Sequence, residues 1–481
     1  MIEKIKAFEE IARQLEPNAP IRKGVRKKVI DYTEDFLDNI YSLKAYEQTD
    51  DQGKGLFDSP INDVTIDIEE AIQIIFENVD TQGLNPASGG HLGYIPGGGI
   101  YYSALADYMA AITNRYAGIF FASQGAVRME NLLIKWMANI VGYDEAASGN
   151  LTTGGSLANL IAIVTARDAH NIKAKDIEKT VIYLSEQAHH SVEKAIRIAG
   201  MNECQKRFLP MDERYRIKPD ALEEYIKQDL SDGLKPWLVI AAAGTTDVGA
   251  VDPLDKIGTI ANEYNLWFHV DGAYGGFFAL TDEGKTILKG IEKSDSVIMD
   301  PHKSLFLPYG LGVVLIKDKK HLYHAHHYFA NYMQDTLKNA DELSPADLSP
   351  ELTKHYRSLR LWLPLKLHGV APFRAALEEK LLLAKYFYDK IKTTKGFEVL
   401  IAPQLSVIIF RYIPKSGDAN AFNERIIQEI HKDGRIFFSS TTINGNYMLR
   451  LAILSFRTHL ETVDLALQII NEKVALLNLK P

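Results

Sequence analysis

The spacing of hydrophobic positions along the 481-residue chain changes character twice, dividing it into three parts. Over residues 25–41 and 67–78 apolar side chains recur every three or four positions among charged ones, the pattern of amphipathic helices, with a polar, glycine-bearing loop at 50–55 between them. From about residue 81 two patterns alternate. Runs at 102–116 and 127–141 and an alanine-rich apolar run at 157–166 read as helices. By contrast, 181–185, 236–243, 267–270 and 296–299 are short apolar runs, rich in β-branched and aromatic residues, that end abruptly in polar ones. Such runs read as strands buried on both faces. The alternation predicts an α/β architecture, a mostly parallel sheet with helices on both sides. After residue 361 a long helical run through 392 gives way to strands at 405–412 and 448–454 and a closing helix at 460–477. The expected organisation is an N-terminal helical segment over 1–80, a large α/β domain over 81–360 and a small α+β domain over 361–481.

Open α/β sheets place ligands at the carboxyl ends of their strands. The 267–270 run ends in Asp271, and the 296–299 run leads into Asp300-Pro301-His302-Lys303. A carboxylate at one strand end and an amine at the next suit pyridoxal phosphate. The amine forms a Schiff base with the aldehyde, and the carboxylate keeps the ring nitrogen protonated so that the ring withdraws electrons. Taken singly, Asp271 reads as a helix cap and Lys303 as a surface amine; their neighbours decide. Gly154-Gly155-Ser156 opens the 157–166 helix, and the free N–H groups of a helix N-terminus favour a phosphate. Thr245 and Thr246 follow the 236–243 run, small hydroxyl residues able to approach a flat ring. His189 and His190 sit between the 181–185 strand and a helix that begins near Ser191, where an imidazole can stack on a ring or move a proton near neutral pH.

The order Gly-Gly-Ser (154–156), Gln-Ala-His (187–189), Gly-Thr-Thr (244–246), His-Val-Asp-Gly-Ala-Tyr (269–274) and Asp-Pro-His-Lys (300–303) resembles the group II pyridoxal-phosphate-dependent amino-acid decarboxylases. These are the relatives of aromatic-L-amino-acid, histidine and glutamate decarboxylases. The resemblance runs from about Gly90 onward and is sharpest between Leu151 and Gly312. It implies the pyridoxal-phosphate-dependent transferase fold type I, and a homodimer with shared active sites in which the N-terminal segment packs on the partner. Residue by residue, it makes Lys303 the Schiff-base lysine, Asp271 the partner of the ring nitrogen, His189 the stacking histidine and Ala273 the small residue beneath the ring. Gly155, Ser156, Ser296 and His302 fall on positions serving the phosphate or its surroundings, and Thr246 on one near substrate and ring. Tyr94 and Pro96, ahead of Gly97-Gly98-Gly99, match positions lining the substrate pocket, whereas His190 matches no role.

The implied reaction is decarboxylation of an L-amino acid to its amine and carbon dioxide, with His189 orienting the substrate carboxylate. In such enzymes a mobile loop supplies a tyrosine that protonates Cα. Here the segment after Tyr328 lacks the Asp-Tyr pair and following Trp of the aromatic branch, so Tyr332 is the candidate, with Tyr328 behind it; Arg357-Ser358-Leu359 and Trp362 do match. Aminotransferases, lyases and aldehyde synthases of the same fold would share Lys303 and Asp271. The Gln-Ala-His and Asp-Pro-His-Lys contexts favour decarboxylation, and the intact constellation argues against a non-catalytic homologue. The motifs leave the substrate's side chain open.

Composition narrows the partners. With 46% hydrophobic residues the chain can bury more than one core. A net charge of −8, from 54 basic and 62 acidic residues without a basic stripe, argues against nucleic acid. The single cysteine, Cys204, excludes an internal disulfide framework and fits a reducing compartment. The first residues lack the apolar stretch of a signal peptide, and no run is long enough to span a membrane, so a cytoplasmic protein is expected. His321, His324, His326 and His327 cluster, yet no cysteine or carboxylate lies at a supporting spacing. No metal is expected, and the cluster reads as the entry to a mobile segment.

Overall fold

The computed structural model describes residues 1–328 and 342–479. At its centre is a seven-stranded sheet of β1 (Ser148–Thr152), β2 (Thr180–Leu184), β3 (Gln205–Phe208), β4 (Lys235–Ala242), β5 (Trp267–Asp271), β6 (Ser296–Met299) and β7 (Gly312–Ile316). Their spatial order is β1-β7-β6-β5-β4-β2-β3. The pairs from β6 across to β3 are parallel, and β7 runs against both of its neighbours. The link from β6 to β7 holds only a four-residue helix, Pro301–Ser304, too short to carry the chain back along the sheet for a parallel return.

Alternate side chains of these strands enter two different cores, as the two-residue period of a strand requires. Val239 and Ala241 of β4 join the core on one face, together with Val297 of β6 and Val313 of β7. Leu238, Ile240, Ile298 and Val314 join the core on the other, formed with the helices Gly155–Ala169 and His190–Ile198. Both faces are therefore covered, which is why the strands read as continuous apolar runs.

A second sheet, of β8 (Phe397–Val399), β9 (Val407–Tyr412), β10 (Ser439–Ile443) and β11 (Asn446–Ala452), is antiparallel in the order β8-β9-β11-β10. It shares a separate core with the helices Ala371–Thr393, Ala419–Asp433 and Leu460–Leu479. The single helical run expected over 361–392 is two helices, Ser358–His368 and Ala371–Thr393. Gly369 between them takes φ 73°, and Pro372, which has no N–H to give, opens the second helix. The N-terminal helices Ile2–Ala12, Ala19–Asp38 and Ile68–Ile75 contain no buried residue. Among the described residues no helix is long and apolar enough to cross a membrane.

A buried ion pair fixes β1, the strand that leads to the glycine turn. Glu130, on the Gln124–Ile140 helix, meets Lys354 at 2.8 Å, and the two side chains are 2% and 0% exposed. Lys354 also donates to Asn150 Oδ1 at 2.7 Å, and Glu130 accepts the Leu151 N–H at 3.1 Å. Burial pulls the Lys354 amine below its usual range against the opposing charge of Glu130. Replacing Lys354→Met leaves Glu130 buried without a counter-charge, and urea unfolding at pH 7 should show a loss of about 3–5 kcal/mol. A loss below about 1 kcal/mol, the size of a surface pair, would contradict this account.

Candidate active site

The strands β2, β4, β5 and β6 end around a cavity of about 460 Å³. Asp271, the last residue of β5, accepts the Ala273 N–H at Oδ1 (3.2 Å) and the Asn159 side-chain amide at Oδ2 (3.2 Å). Lys303 lies just past β6 on the Pro301–Ser304 turn of helix, its Nζ 3.0 Å from Asp300 Oδ2. Asp300 is 1% exposed. Among the described residues its Oδ1 has no hydrogen-bond partner, and neither does Gln187 Oε1, which also lines the cavity. Buried oxygens left unpaired are rare in folded proteins, and these two face a cavity in which a bound molecule could donate to them.

The anion end of the cavity is built on glycine. Gly154 has φ 154°, and a Cβ added at Gly155 would lie 3.0 Å from Asp300 Oδ2 and 3.4 Å from the Ala273 Cβ. Gly155 begins a 15-residue helix whose first N–H groups and dipole favour a phosphate, and Ser156 lines the cavity beside it. His302 contributes its ring; Nδ1 donates to the Leu311 carbonyl at 2.5 Å, and burial pushes its pKa below the usual range. His189 caps the His190–Ile198 helix by accepting the Ser191 N–H, and burial lowers its pKa while the Asp271 charge opposes the shift. Thr246 and Ala273 complete the lining. The Thr246 and Asp247 carbonyls are held by Arg450, a 3%-exposed residue of β11 that also donates to the Tyr94 carbonyl.

Three expected residues are not brought to this cavity. Ser296 starts β6 rather than ending it; at about 3.3 Å per residue the strand carries it roughly 10 Å from the edge, fully buried against Trp267 and His269. Tyr94 is 57% exposed and packs on Phe437, with ring centroids 5.7 Å apart. Pro96 is buried beside Gly97, Gly98 and Gly99, and it is these glycines that line a neighbouring cavity of about 420 Å³. That second cavity shares His302 and Tyr309 with the first. Tyr332 lies outside the described residues. The His190 ring lies against that of His189, tilted by 42° with centroids 4.0 Å apart. Among the described residues no group of His, Cys, Asp or Glu could hold a metal. Two residues went unassigned from sequence. Asp300 precedes Lys303 by one helical turn, and Asn159 is the lone amide in an apolar helix; those placements were the available signals.

A lysine and a carboxylate stand at neighbouring strand ends of a sheet covered on both faces, with a glycine-opened helix N-terminus beside them, an arrangement with the chemistry to hold pyridoxal phosphate. Residues 60–413 match the family model described as the pyridoxal-dependent decarboxylase conserved domain. The chain is 32% identical over 457 residues to an aromatic-L-amino-acid decarboxylase of Bacillus atrophaeus, covering 94% of this chain and 95% of that protein. It is 30% identical to an L-2,4-diaminobutyrate decarboxylase of Acinetobacter baumannii over 73% of each. Its fold is that of the Oryza sativa TDC crystal structure with PLP and tryptamine, with a TM-score of 0.89, 23% identity, and coverage of 96% of this chain and 99% of that one. The chain belongs to the pyridoxal-dependent decarboxylase family, and its cofactor is pyridoxal phosphate. Because even a Cβ at position 155 would sit 3.0 Å from Asp300 Oδ2 and the methyls of valine would need further room, Gly155→Val should weaken pyridoxal phosphate binding roughly 10–100-fold, matching an overpacking cost of about 1–3 kcal/mol. Fluorescence titration of the folded variant measures this, and unchanged affinity would contradict the cradle.

Proposed function

We propose that this decarboxylase removes the α-carboxyl group of an aromatic L-amino acid as carbon dioxide, and that it works as a cytoplasmic homodimer. The observation carrying the substrate reading is the second cavity. It opens beside His302 and is walled mainly by Phe36, Val79, Leu84, Pro86 and Leu307; of its polar residues Asn85 and Asp80, the Asp80 carboxylate is already engaged by the Tyr32 hydroxyl at 2.5 Å. An apolar wall accepts a ring and disfavours a charged side chain, which would lose its hydration there. The name of the Bacillus atrophaeus relative points the same way.

Bound pyridoxal phosphate supplies the electron sink for cleavage at Cα. Lys303 offers the amine for covalent attachment, with Asp300 keeping it oriented from 3.0 Å. Asp271 holds a proton at the ring nitrogen. The helix N-terminus at Gly155, with Ser156 and His302, takes the phosphate. His189 orients the substrate carboxylate, and Thr246 and Ala273 shape the wall against the ring. By fixing the substrate carboxylate, His189 would decide which bond at Cα is cleaved.

The dimer is supported by the N-terminal helices, which leave Ile5, Phe8 and Ile11 57%, 62% and 64% exposed. Apolar faces of this kind are covered in stable proteins, and a second copy of the chain is the symmetric solution. The single cysteine suits a reducing compartment.

Carbon dioxide release from a panel of amino acids tests the reaction. We expect kcat/KM for L-tyrosine, L-tryptophan or L-phenylalanine to exceed that for L-glutamate or L-2,4-diaminobutyrate by roughly 30–100-fold, since burying an aromatic side chain contributes about 2–3 kcal/mol. Lys303→Ala should release none and should hold no cofactor fixable by borohydride. Preference for a charged substrate would reject the aromatic reading. Light scattering should give twice the 53.9 kDa chain mass, and Ile5→Asp with Phe8→Asp should shift it toward the monomer with loss of activity. A fully active monomer would reject the dimer.

A further inference from the structure

Seven side chains form one unbroken network of hydrogen bonds from the interior of the sheet to the cavity, branching at Asn159. Trp267 Nε1 is 2.8 Å from Ser296 Oγ, which is 2.8 Å from His269 Nδ1. His269 Nε2 is 2.8 Å from Asn159 Oδ1. Asn159 Nδ2 lies 3.0 Å from Ser191 Oγ and 3.2 Å from Asp271 Oδ2, and Ser191 Oγ is 2.7 Å from His189 Nδ1. Ser296, Asn159, His269 and Ser191 are between 0% and 3% exposed, so water cannot substitute for a missing partner.

Only one direction of donation satisfies every atom. An indole N–H can only donate, and a carboxylate can only accept. Asp271 must therefore face the NH₂ of Asn159, which turns the Asn159 carbonyl toward His269. His269 Nε2 must then carry the ring hydrogen. Burial pushes His269 down to about 4, so the ring is neutral at pH 7 and its Nδ1 is bare. That nitrogen takes the Ser296 hydroxyl hydrogen, while the Ser296 oxygen receives the indole N–H. At the other end the second amide hydrogen of Asn159 goes to Ser191 Oγ, and since a backbone N–H already marks His189 Nδ1 as an acceptor, the Ser191 hydroxyl donates to that nitrogen. The Ser191 backbone N–H points to the same nitrogen, at 3.2 Å. With Nδ1 occupied as an acceptor, the hydrogen of neutral His189 resides on Nε2, the nitrogen left for the cavity.

We infer that Asn159 is a positioning residue serving both arms of the site: one amide hydrogen orients the Asp271 carboxylate, and the other, through Ser191, locks His189 as the Nε2–H tautomer that donates to an anionic group of the substrate. The inference rests on the roles proposed for Asp271 and His189. It also gives Ser296 a task, as the relay from Trp267 rather than a phosphate ligand.

Neutron diffraction from deuterium-exchanged holoenzyme at pH 7 reads the hydrogens with no substitution. Deuterium should appear on Nε2 of both His269 and His189 and on Ser296 Oγ toward His269. Deuterium on Nδ1 of either histidine overturns the inference. In solution, Asn159→Ala should lower kcat about 10–100-fold, the scale for groups that orient site histidines. It should also move the pH titration of the bound cofactor's visible absorption. Ser191→Ala should move the kcat pH profile alone, and Ser191→Thr should restore it. An absorption titration displaced equally by Ser191→Ala and Asn159→Ala, or by neither, overturns the two-armed role. Hydrogens in the expected places with no turnover of aromatic amino acids would reject the substrate reading and leave the chain of bonds standing.

Discussion

The site depends on the register with which β5 lies between β4 and β6. Asp271 pairs with Ala242 on one side and with Ile298 on the other, so three strands deliver their ends to one edge. Side chains alternate along a strand, and a slip of one residue would turn Asp271 away from the Gly155–Ala169 helix and replace it with Val270. The register is pinned from both directions. Phe268 and Val270 are buried in the core of the opposite face, and the Phe268 N–H is taken by Asp295 at 2.8 Å. The same alternation places His269 and Asp271, two positions apart, against a single amide on the covering helix. Covering a parallel sheet on both faces thus does more than bury apolar area. It seats a helix close enough for one polar residue to reach two strand positions.

Charge is concentrated in a small volume at that edge. Lys303 and Asp300 share an ion pair, with His302 Nε2 3.8 Å from the same Asp300 oxygen. The carboxylate is accommodated because its neighbours lack side chains: a Cβ at Gly312 would come within 2.5 Å of Asp300 Oδ1, and one at Gly155 within 3.0 Å of Oδ2. Glycine is needed here for close approach, as much as for any turn.

Much of this was legible in the chain itself, for a physical reason. Strands buried on both faces must be apolar throughout, so the first polar residues after them are conspicuous, and Asp271, Lys303, His189 and Thr246, which line one cavity, stand out that way. Ser296 was misplaced because proximity to a motif does not reveal which end of a strand a residue occupies. Tyr94 and Pro96 depend on how a distant loop settles against Phe437 and Arg450, which no local pattern encodes. Asn159 was hidden because its value comes from a strand more than a hundred positions away. The break at Gly369 reflects competition between helical periodicity and a backbone conformation that glycine adopts cheaply.

Arg450 has a consequence for biosynthesis. It clasps the loop after β4 from 204 positions further along the chain and the Tyr94 carbonyl from 356 positions away. At about 5–20 residues per second, ribosomes need roughly 10–40 s to make the stretch between Thr246 and Arg450. The nascent chain can assemble all seven strands of its large sheet in that interval and still lack the guanidinium that closes the cofactor loop. The loop that carries Thr246 is thus braced by a residue of the C-terminal sheet, and its final conformation waits on the last part of the chain to be made.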